Sequence, residues 1–375
     1  MRKKVLVLFG GRSCENEVSI VTGVMAANLL DAERYEVFPV YLSQEGKLYT
    51  GESLLDVQTF RGGGYKKSAQ SALLSEGVLY VRRKNKLRPV CRPDAALNCC
   101  HGAGGEDGEA AALFALNRIP DASPAVAGSA ICMDKALTKI AANGLGIRTL
   151  PYFRIAEGDW RKRGNMALRC IEERLGYPVI VKPARQGSSI GIGVAEDRAK
   201  LVAAVQVAFA YDDLLIAEKY LAVRREINCA AYRRGEEIVL SPCEEPKSAH
   251  KYYTFAEKYL EGGKTRTSDL PADIPAECAA QVQAYTRLLY KRLQLRGVVR
   301  ADFLLSGKEV YFSELNTVPG SLAWYLFCQK LSEFPQMLTA LVEQGICDFR
   351  ARANKRMLGE CGVLGRAGGR KHPRR

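Results

Sequence analysis

Three side chains near the end of the chain have the types and spacing to hold a divalent cation. Asp302 lies in the run VVRADFLL, residues 298–305, and Glu314 and Asn316 lie in VYFSELN, residues 310–316. Both runs are rich in β-branched and aromatic residues and flank Gly307, the pattern of a hairpin. Strand side chains alternate between faces, so Arg300 and Asp302 share one face, and so do Glu314 and Asn316. A three-residue loop, Gly307 to Glu309, sets Asp302 opposite Glu314. A two-residue loop sets it opposite Ser313 and separates the carboxylates. The three-residue turn is the expectation. Two carboxylates and an amide oxygen, with no nearby thiol or imidazole, form a hard-cation set suited to Mg²⁺ carried on nucleotide phosphates. Alone, the same face is equally an ordinary solvated strand face, so the rest of the chain must supply the nucleotide.

It offers several candidates. Lys182 ends an apolar run, and the stretch VKPARQGSSIGIG, residues 181–193, passes through a Gly/Ser loop into the next strand. Backbone N–H groups in such a loop wrap phosphate oxygens, and the lysine adds a point charge. The GxxxxGK[ST] pattern of a P-loop is absent. The run IAEKYL, residues 216–221, with Glu226 beyond it, reads as a strand edge. Backbone groups of Lys219 and Leu221 there can pair an adenine edge and Glu226 can take ribose hydroxyls, although a plain surface strand has the same pattern. GGRSCENEVS, residues 10–19, joins a strand to a helix. Glu15 at that helix entrance suits an ammonium ligand, whereas phosphate prefers bare amides; read plainly, Ser13 caps the helix. His101 opens HGAGGEDG, residues 101–108, at the carboxyl end of a strand, where open α/β sheets place ligands.

The elements that must position these groups alternate in type. Residues 5–9, 37–41 and 95–100 read as strands, with helices over 17–30 and 109–117, which predicts a doubly wound parallel sheet. A second region has a helix over 133–143, strands at 179–182 and 192–195, and a helix over 198–210. A third has strands at 214–219, 226–233 and 237–241, a helix over 275–293, the hairpin, and a last helix over 334–344. The polar connection 246–271 is long enough to be a functional flap.

Composition narrows the class. The chain has 375 residues, 47% hydrophobic and 26% charged, room for two or three domains with sizeable cores. Its formal net charge of +14 points superficially to nucleic acid. Residues 350–375 hold nine Lys or Arg against one acid, with five glycines and no aromatics, so more than half the surplus sits in a poor helix former read as a disordered tail. The five-residue apolar run after Met1-Arg2-Lys3-Lys4 is a first strand rather than a signal peptide, and no stretch approaches a membrane span. The expectation is a cytoplasmic protein with no nucleic-acid or membrane partner. Twelve cysteines without CxxC spacing read as free thiols.

In this order the motifs resemble the D-alanine–D-alanine ligases of the ATP-grasp superfamily. GGRSCENEVS, HGAGGEDG, MDK at 133–135, VKPARQGSSIG, EKYL with Glu226, a second EKYL at 257–260, RADF and ELNTVPG carry the resemblance, which spans residues 3 to 345. It implies an α/β, three-domain ATP-grasp fold: residues 1–119, 120–216 and 217–349, with a lid at 246–271 and the tail at 350–375. It implies ATP-dependent joining of two D-alanines through an acyl phosphate for peptidoglycan precursors, with two Mg²⁺ ions (Mn²⁺ as an alternative) and a homodimer. By motif position Lys135, Lys182 and the flap's Lys258 attend the phosphates. Glu218, Lys219, Leu221 and Glu226 meet adenine and ribose, and Asp302, Glu314 and Asn316 hold the metals. Glu15 meets the first substrate's ammonium beside His101, Ser188 links Glu15 to the flap's Tyr259, and Arg300 with the Gly320 amide stabilises the oxyanion.

Three departures from the family's pattern stand out. Ala110-Ala111-Ala112 replaces a Gln-Gly, Asp121 replaces an aromatic, and Tyr325-Leu326 stands where a Ser-Leu pair meets the second substrate's carboxylate. The last leaves the acceptor open to D-serine or D-lactate, although Tyr259 favours an amine. A catalytically inactive nucleotide-binding relative is the reading from another class; retention of Lys182, Ser188, Asp302, Glu314 and Asn316 argues against it.

Overall fold

The computed structural model describes residues 1–84, 86–247 and 268–355. Strand β1 (Lys3–Gly10) is an apolar run buried on both faces, the signature of a central parallel strand. Helix α1 (Asn16–Leu29) returns the chain to β2 (Tyr35–Leu42), which pairs with β1 in parallel. Strands β3 (Leu48–Thr50), β4 (Gln70–Ser75), β5 (Val78–Arg83) and β6 (Lys86–Cys91), with the one-turn helix α2 (Tyr65–Ser68), then extend the sheet as an antiparallel meander. β7 (Ala95–Asn98) closes onto the other side of β1, again in parallel. The order is β6-β5-β4-β3-β2-β1-β7. The expected parallel sheet therefore holds for three strands, and the rest is antiparallel. The meander went unseen because it is half solvated: β6 is exposed at every position but its last and shows no apolar alternation. Helix α1 covers Val5, Val7 and Phe9, and α3 (Glu109–Leu116) covers Leu6 and Leu8 on the opposite face.

Helices α4 (Val126–Met133) and α5 (Lys135–Gly144) lead into a second sheet. Its strands are β8 (Tyr152–Ala156), β9 (Val179–Pro183), β10 (Gly193–Ala195) and β11 (Leu214–Lys219), ordered β10-β9-β11-β8 and all antiparallel. Helices α6 (Glu157–Leu175) and α7 (Arg198–Ala208) bury one face over Val179, Val181, Leu215 and Ala217. Lys182 and Glu218 alternate onto the other face. The sequence reading missed α4, β8 and α6, and it grouped β11 with the third region, whereas β11 is an inner strand of the second sheet.

The third sheet is β12 (Arg225–Arg234), β13 (Glu237–Leu240), β16 (Val299–Ser306) and β17 (Glu309–Asn316), ordered β13-β12-β16-β17. Between them the short strands β14 (Glu245–Pro246) and β15 (Ser268–Asp269) pair, bringing residues 246 and 268 side by side. Residues 248–267, most of the stretch read from sequence as a flap, lie outside the described residues. Helix α8 (Ala276–Arg292) packs beneath Ile227, Cys229, Phe303 and Phe312, and so do Cys132, Ala142 and Ile147. Residues 126–144, which the sequence reading placed in the middle region, thus share the core of the third. The last helix, α9 (Phe334–Ala353), is longer than expected and packs between α1 and the third sheet. It takes in residues 350–353, which the sequence reading had assigned to a disordered tail; residues 356–375 lie outside the described residues. Among the described residues no helix is long and apolar enough to cross a membrane.

Candidate active site

The hairpin does bring Asp302 and Glu314 together, by a route the sequence reading did not foresee. Ser306 pairs with Glu309, so the turn is the two residues Gly307 and Lys308, not three. With regular pairing Asp302 would then face Ser313. Instead the register shifts between Asp302 and Phe303: Phe303 pairs with Phe312, Asp302 with Glu314 and Arg300 with Asn316. Ser313 is the extra residue of a β-bulge. Strict alternation from Val310 and Phe312, both buried, would carry Glu314 and Asn316 into the core; the bulge turns them onto the face of Asp302. A strand whose apolar and polar residues share one parity is the sequence signal of such a bulge.

On that face charges are already paired. Arg300 Nε and Nη2 each lie 2.7 Å from the two Asp302 oxygens, and Asn316 Nδ2 donates to Asp302 Oδ2 at 3.0 Å. Burial would lower the Arg300 pKa, but Asp302 outweighs it and holds the guanidinium firmly charged. Lys135 Nζ is 3.2 Å from Glu314 Oε2 and donates to the Gln186 carbonyl at 2.7 Å, tying α5 to both the glycine loop and the hairpin. Asp134 caps α5 by accepting from the Ala136 and Leu137 N–H groups, which fixes where Lys135 starts. Lys182 Nζ is 2.5 Å from Glu218 Oε2, and Lys139 Nζ, which the sequence reading overlooked, is 2.6 Å from Oε1. Burial alone would raise the Glu218 carboxyl, yet the two lysines bring it down to about 2. Lys139 was legible only as a lysine one helical turn after Lys135, on the same stripe.

Glu15 is where three loops converge. The Ser188 hydroxyl donates to Glu15 Oε1. A Cβ at Gly187 or at Gly102 would come 2.9 Å from Glu15 Oε2 and push the carboxylate aside; at Gly102 it would also meet Ser13 Cβ at 2.8 Å, on a backbone φ of +68° that favours glycine. Ser13 is not the cap of α1, a place that Glu15 takes: its hydroxyl donates to the His101 carbonyl at 2.6 Å and accepts from the Glu15 N–H at 3.1 Å. His101 Nδ1 lies 2.7 Å from the Val318 carbonyl, which can only accept, so Nδ1 carries the proton. Nε2 then accepts from Thr22 Oγ1 at 2.9 Å, and Thr22 accepts from the Ser321 N–H at 3.1 Å. This relay, with the Thr317 hydroxyl on the Glu106 carbonyl at 3.0 Å, pins the 101–106 loop to the segment after the hairpin.

That segment, Gly320–Leu326, carries Ser321, Leu322 and Ala323 in succession at φ of 53°, 52° and 49°. Each left-handed non-glycine residue costs roughly 1–2 kcal/mol, and such strain clusters at functional sites. Burial of Leu322 and Ala323 against α9 holds the turn. Ser188 and Ser189 share the left-handed conformation, at φ of 52° and 60°.

Not every expected residue reaches the cleft. Leu326 is 2% exposed and packs into the core with Leu338 and Phe334, so its side chain is spent on packing. Tyr325 is half-buried with its phenol close enough to act on the Arg300 charge. The Leu221 carbonyl accepts from Arg224 at 2.9 Å, and the Lys219 N–H donates to the Pro151 carbonyl at 3.0 Å, which leaves the Lys219 carbonyl and the Leu221 N–H as the groups an adenine edge would call on. Glu226 lies on β12 with Arg224 at 3.8 Å. Gly320 opens the strained turn. Lys258 and Tyr259 lie outside the described residues. As to a metal, the described residues hold no cluster of three or more His, Cys, Asp or Glu side chains. The donor set at the hairpin is two carboxylates and an amide whose rotation would present oxygen, a set that fits a hard cation.

Comparison with known proteins adds the family. Residues 4–123 match a family model described as D-ala D-ala ligase N-terminus, and residues 141–346 one described as D-ala D-ala ligase C-terminus. A D-alanine–D-alanine ligase of Caldicellulosiruptor bescii is 33% identical over 359 residues, covering 92% of this chain and 95% of that protein. Among solved structures, the D-alanine–D-alanine ligase of Helicobacter pylori superposes with a TM-score of 0.75 at 28% identity, covering 91% of this chain and 98% of its own. The VanG D-Ala:D-Ser ligase of Enterococcus faecalis superposes with a TM-score of 0.77 at 26% identity, covering 92% and 100%.

Proposed function

The chain belongs to the D-alanine–D-alanine ligase family, and from that premise we propose how its residues divide the ATP-dependent joining of two D-alanines for peptidoglycan precursors. A carboxylate is a poor electrophile. Transfer of a phosphoryl group to the first D-alanine turns one carboxylate oxygen into a leaving group, and the second D-alanine's amine then displaces phosphate. Glu15, held by Ser188 between two glycines, orients the first substrate's ammonium, with the His101 loop as the wall behind it. Lys135 and Lys182 attend the phosphates. Glu218, the Lys219 carbonyl and the Leu221 N–H line the base, and Glu226 takes the ribose. Asp302, Glu314 and Asn316 would hold Mg²⁺, two ions by the family's habit, which spreads the charge of the moving phosphoryl. Arg300 and the Gly320 amide face the oxyanion of the tetrahedral step. Tyr325, beside Arg300, meets the second substrate. Lys258 and Tyr259 belong to the lid that keeps water from the acyl phosphate. Three regions cooperate, close to residues 1–119, 120–216 and 217–349, with the second ending after β11. The reading includes a homodimer working in the cytoplasm.

The observation that carries the reading is the bulged register that sets Asp302 opposite Glu314 with Lys135 against Glu314. Phosphate release measured with ATP, Mg²⁺ and a panel of D-amino acids and D-lactate tests it. D-alanine should support turnover as donor and acceptor. No turnover with any member of the panel would refute the assignment, and a preference for D-serine or D-lactate as acceptor would refute its D-alanine part.

A further inference from the structure

Helix α5 is inverted for an amphipathic helix: Leu137 and Ile140 are exposed while Lys135 and Lys139 are buried. Lysine is seldom sealed in an interior, because an ammonium taken out of water must be paired. Lys139 is 2% exposed; its Nζ lies 2.6 Å from Glu218 Oε1 and 3.4 Å from the Phe312 carbonyl. Helix α5, strand β11 and strand β17 therefore meet at one ammonium. The other Glu218 oxygen is held at 2.5 Å by Lys182, whose side chain is 13% exposed. One buried carboxylate thus has two lysines, one sealed behind it and one at the cleft.

The two lysines differ in what they can leave. Lys139, buried, lies between Glu218 of the second sheet and the Phe312 carbonyl of the third. Lys182 also feels Glu314 and Glu226 across the cleft. Were Lys182 the only cation on Glu218, each contact it made elsewhere would strand a buried carboxylate, at a free-energy cost charged against that contact. We infer that Lys139 is a positioning residue for nucleotide binding: it neutralises Glu218 from behind, so that Lys182 is free to move onto a nucleotide phosphate. This rests on the reading of Lys182 and Glu218 as nucleotide contacts given above. Burial pushes the Lys139 ammonium pKa down, and Glu218 offsets only part of that, so the geometry of the pair carries the assignment.

A double-mutant cycle on nucleotide binding by the full chain tests this. ATP affinity is measured by calorimetry for the unmodified chain, Lys139→Met, Glu218→Gln and the double variant. Lys139→Met should weaken ATP binding on the order of tenfold, within the coupling range of residues in one ion network. Adenosine, which offers Lys182 no phosphate, should be affected much less. In the Glu218→Gln background, adding Lys139→Met should leave ATP affinity unchanged, because no buried carboxylate remains to hold Lys182. Equal losses for ATP and adenosine, or the same loss with and without Glu218, would overturn the inference. If Lys139→Met fails to fold, the double variant decides: recovery of fold and ATP binding supports the coupling, and failure to recover refutes it. If the unmodified chain does not bind ATP, the nucleotide reading falls and this assignment falls with it; an unmodified chain that binds ATP beside a silent Lys139→Met refutes the assignment alone.

Discussion

Replacing Glu218 by glutamine should lower stability in a way that depends on pH, and the size of the effect follows from its surroundings. The carboxylate is 2% exposed and lies between Lys139 at 2.6 Å and Lys182 at 2.5 Å. Its pKa falls from an ordinary 4.5 to about 2. That lowering makes the ionised form worth on the order of 3 kcal/mol to the folded chain. Because the folded-state value is the lower one, that contribution is complete above about pH 4.5–5 and fades as pH falls towards 2. At pH 3 less than half of it should remain. For a chain of this length the neutral-pH loss corresponds to a thermal midpoint about 4 °C lower. The assay is urea or thermal unfolding of both proteins between pH 7 and pH 3. The two curves should converge as pH falls. A gap of equal size at both ends would mean that glutamine disturbs packing rather than charge, and no gap at pH 7 would mean that the lysines do not depend on this carboxylate. Either result would refute the reasoning.

Further outcomes follow from the same geometry. Glu314→Gln should reduce ligase turnover at least a hundredfold, read by phosphate release, while the unfolding midpoint moves little. Its ion pair with Lys135 is a partly exposed one, worth at most about 1 kcal/mol, so a large loss of stability with turnover retained would exclude the metal assignment. Gly102→Ala should raise the KM of the donor D-alanine and also lower the thermal midpoint, because the added methyl meets Ser13 Cβ at 2.8 Å and Glu15 Oε2 at 2.9 Å on a backbone φ of +68°; an unchanged KM would detach Glu15 from the donor site. Removing residues 356–375 should leave turnover unchanged, whereas cutting at residue 350 removes the last turn of α9 and should lower the unfolding midpoint; equal behaviour of the two truncations would show that this turn contributes nothing.

Much of the site was legible because its residues sit in short motifs whose local structure dictates their direction. Lys182 at the end of β9, Glu15 at the entrance of α1 and His101 after β7 were all read from strand and helix punctuation, and each stands where that punctuation placed it. The family, too, followed from the order of such motifs. The antiparallel half of the first sheet was not legible, since solvated edge strands lack the apolar period that betrays a buried one.

What the sequence determined by itself was the inventory: which carboxylates, lysines and glycines exist, in what order, and on which kind of element. That much is local, because strand alternation and helix capping act over a few residues. Only the tertiary structure decided which of them face each other. Glu314 meets Asp302 because a bulge at Ser313 makes up for a turn one residue shorter than expected, and its own parity in the strand would have buried it. Lys139 matters because packing of α5 seals its ammonium against a strand almost eighty residues further on. Leu326 is lost to the core for the same reason. Burial and pairing belong to the whole chain: an ion's worth depends on what removes the water around it, and no stretch of sequence carries that information alone.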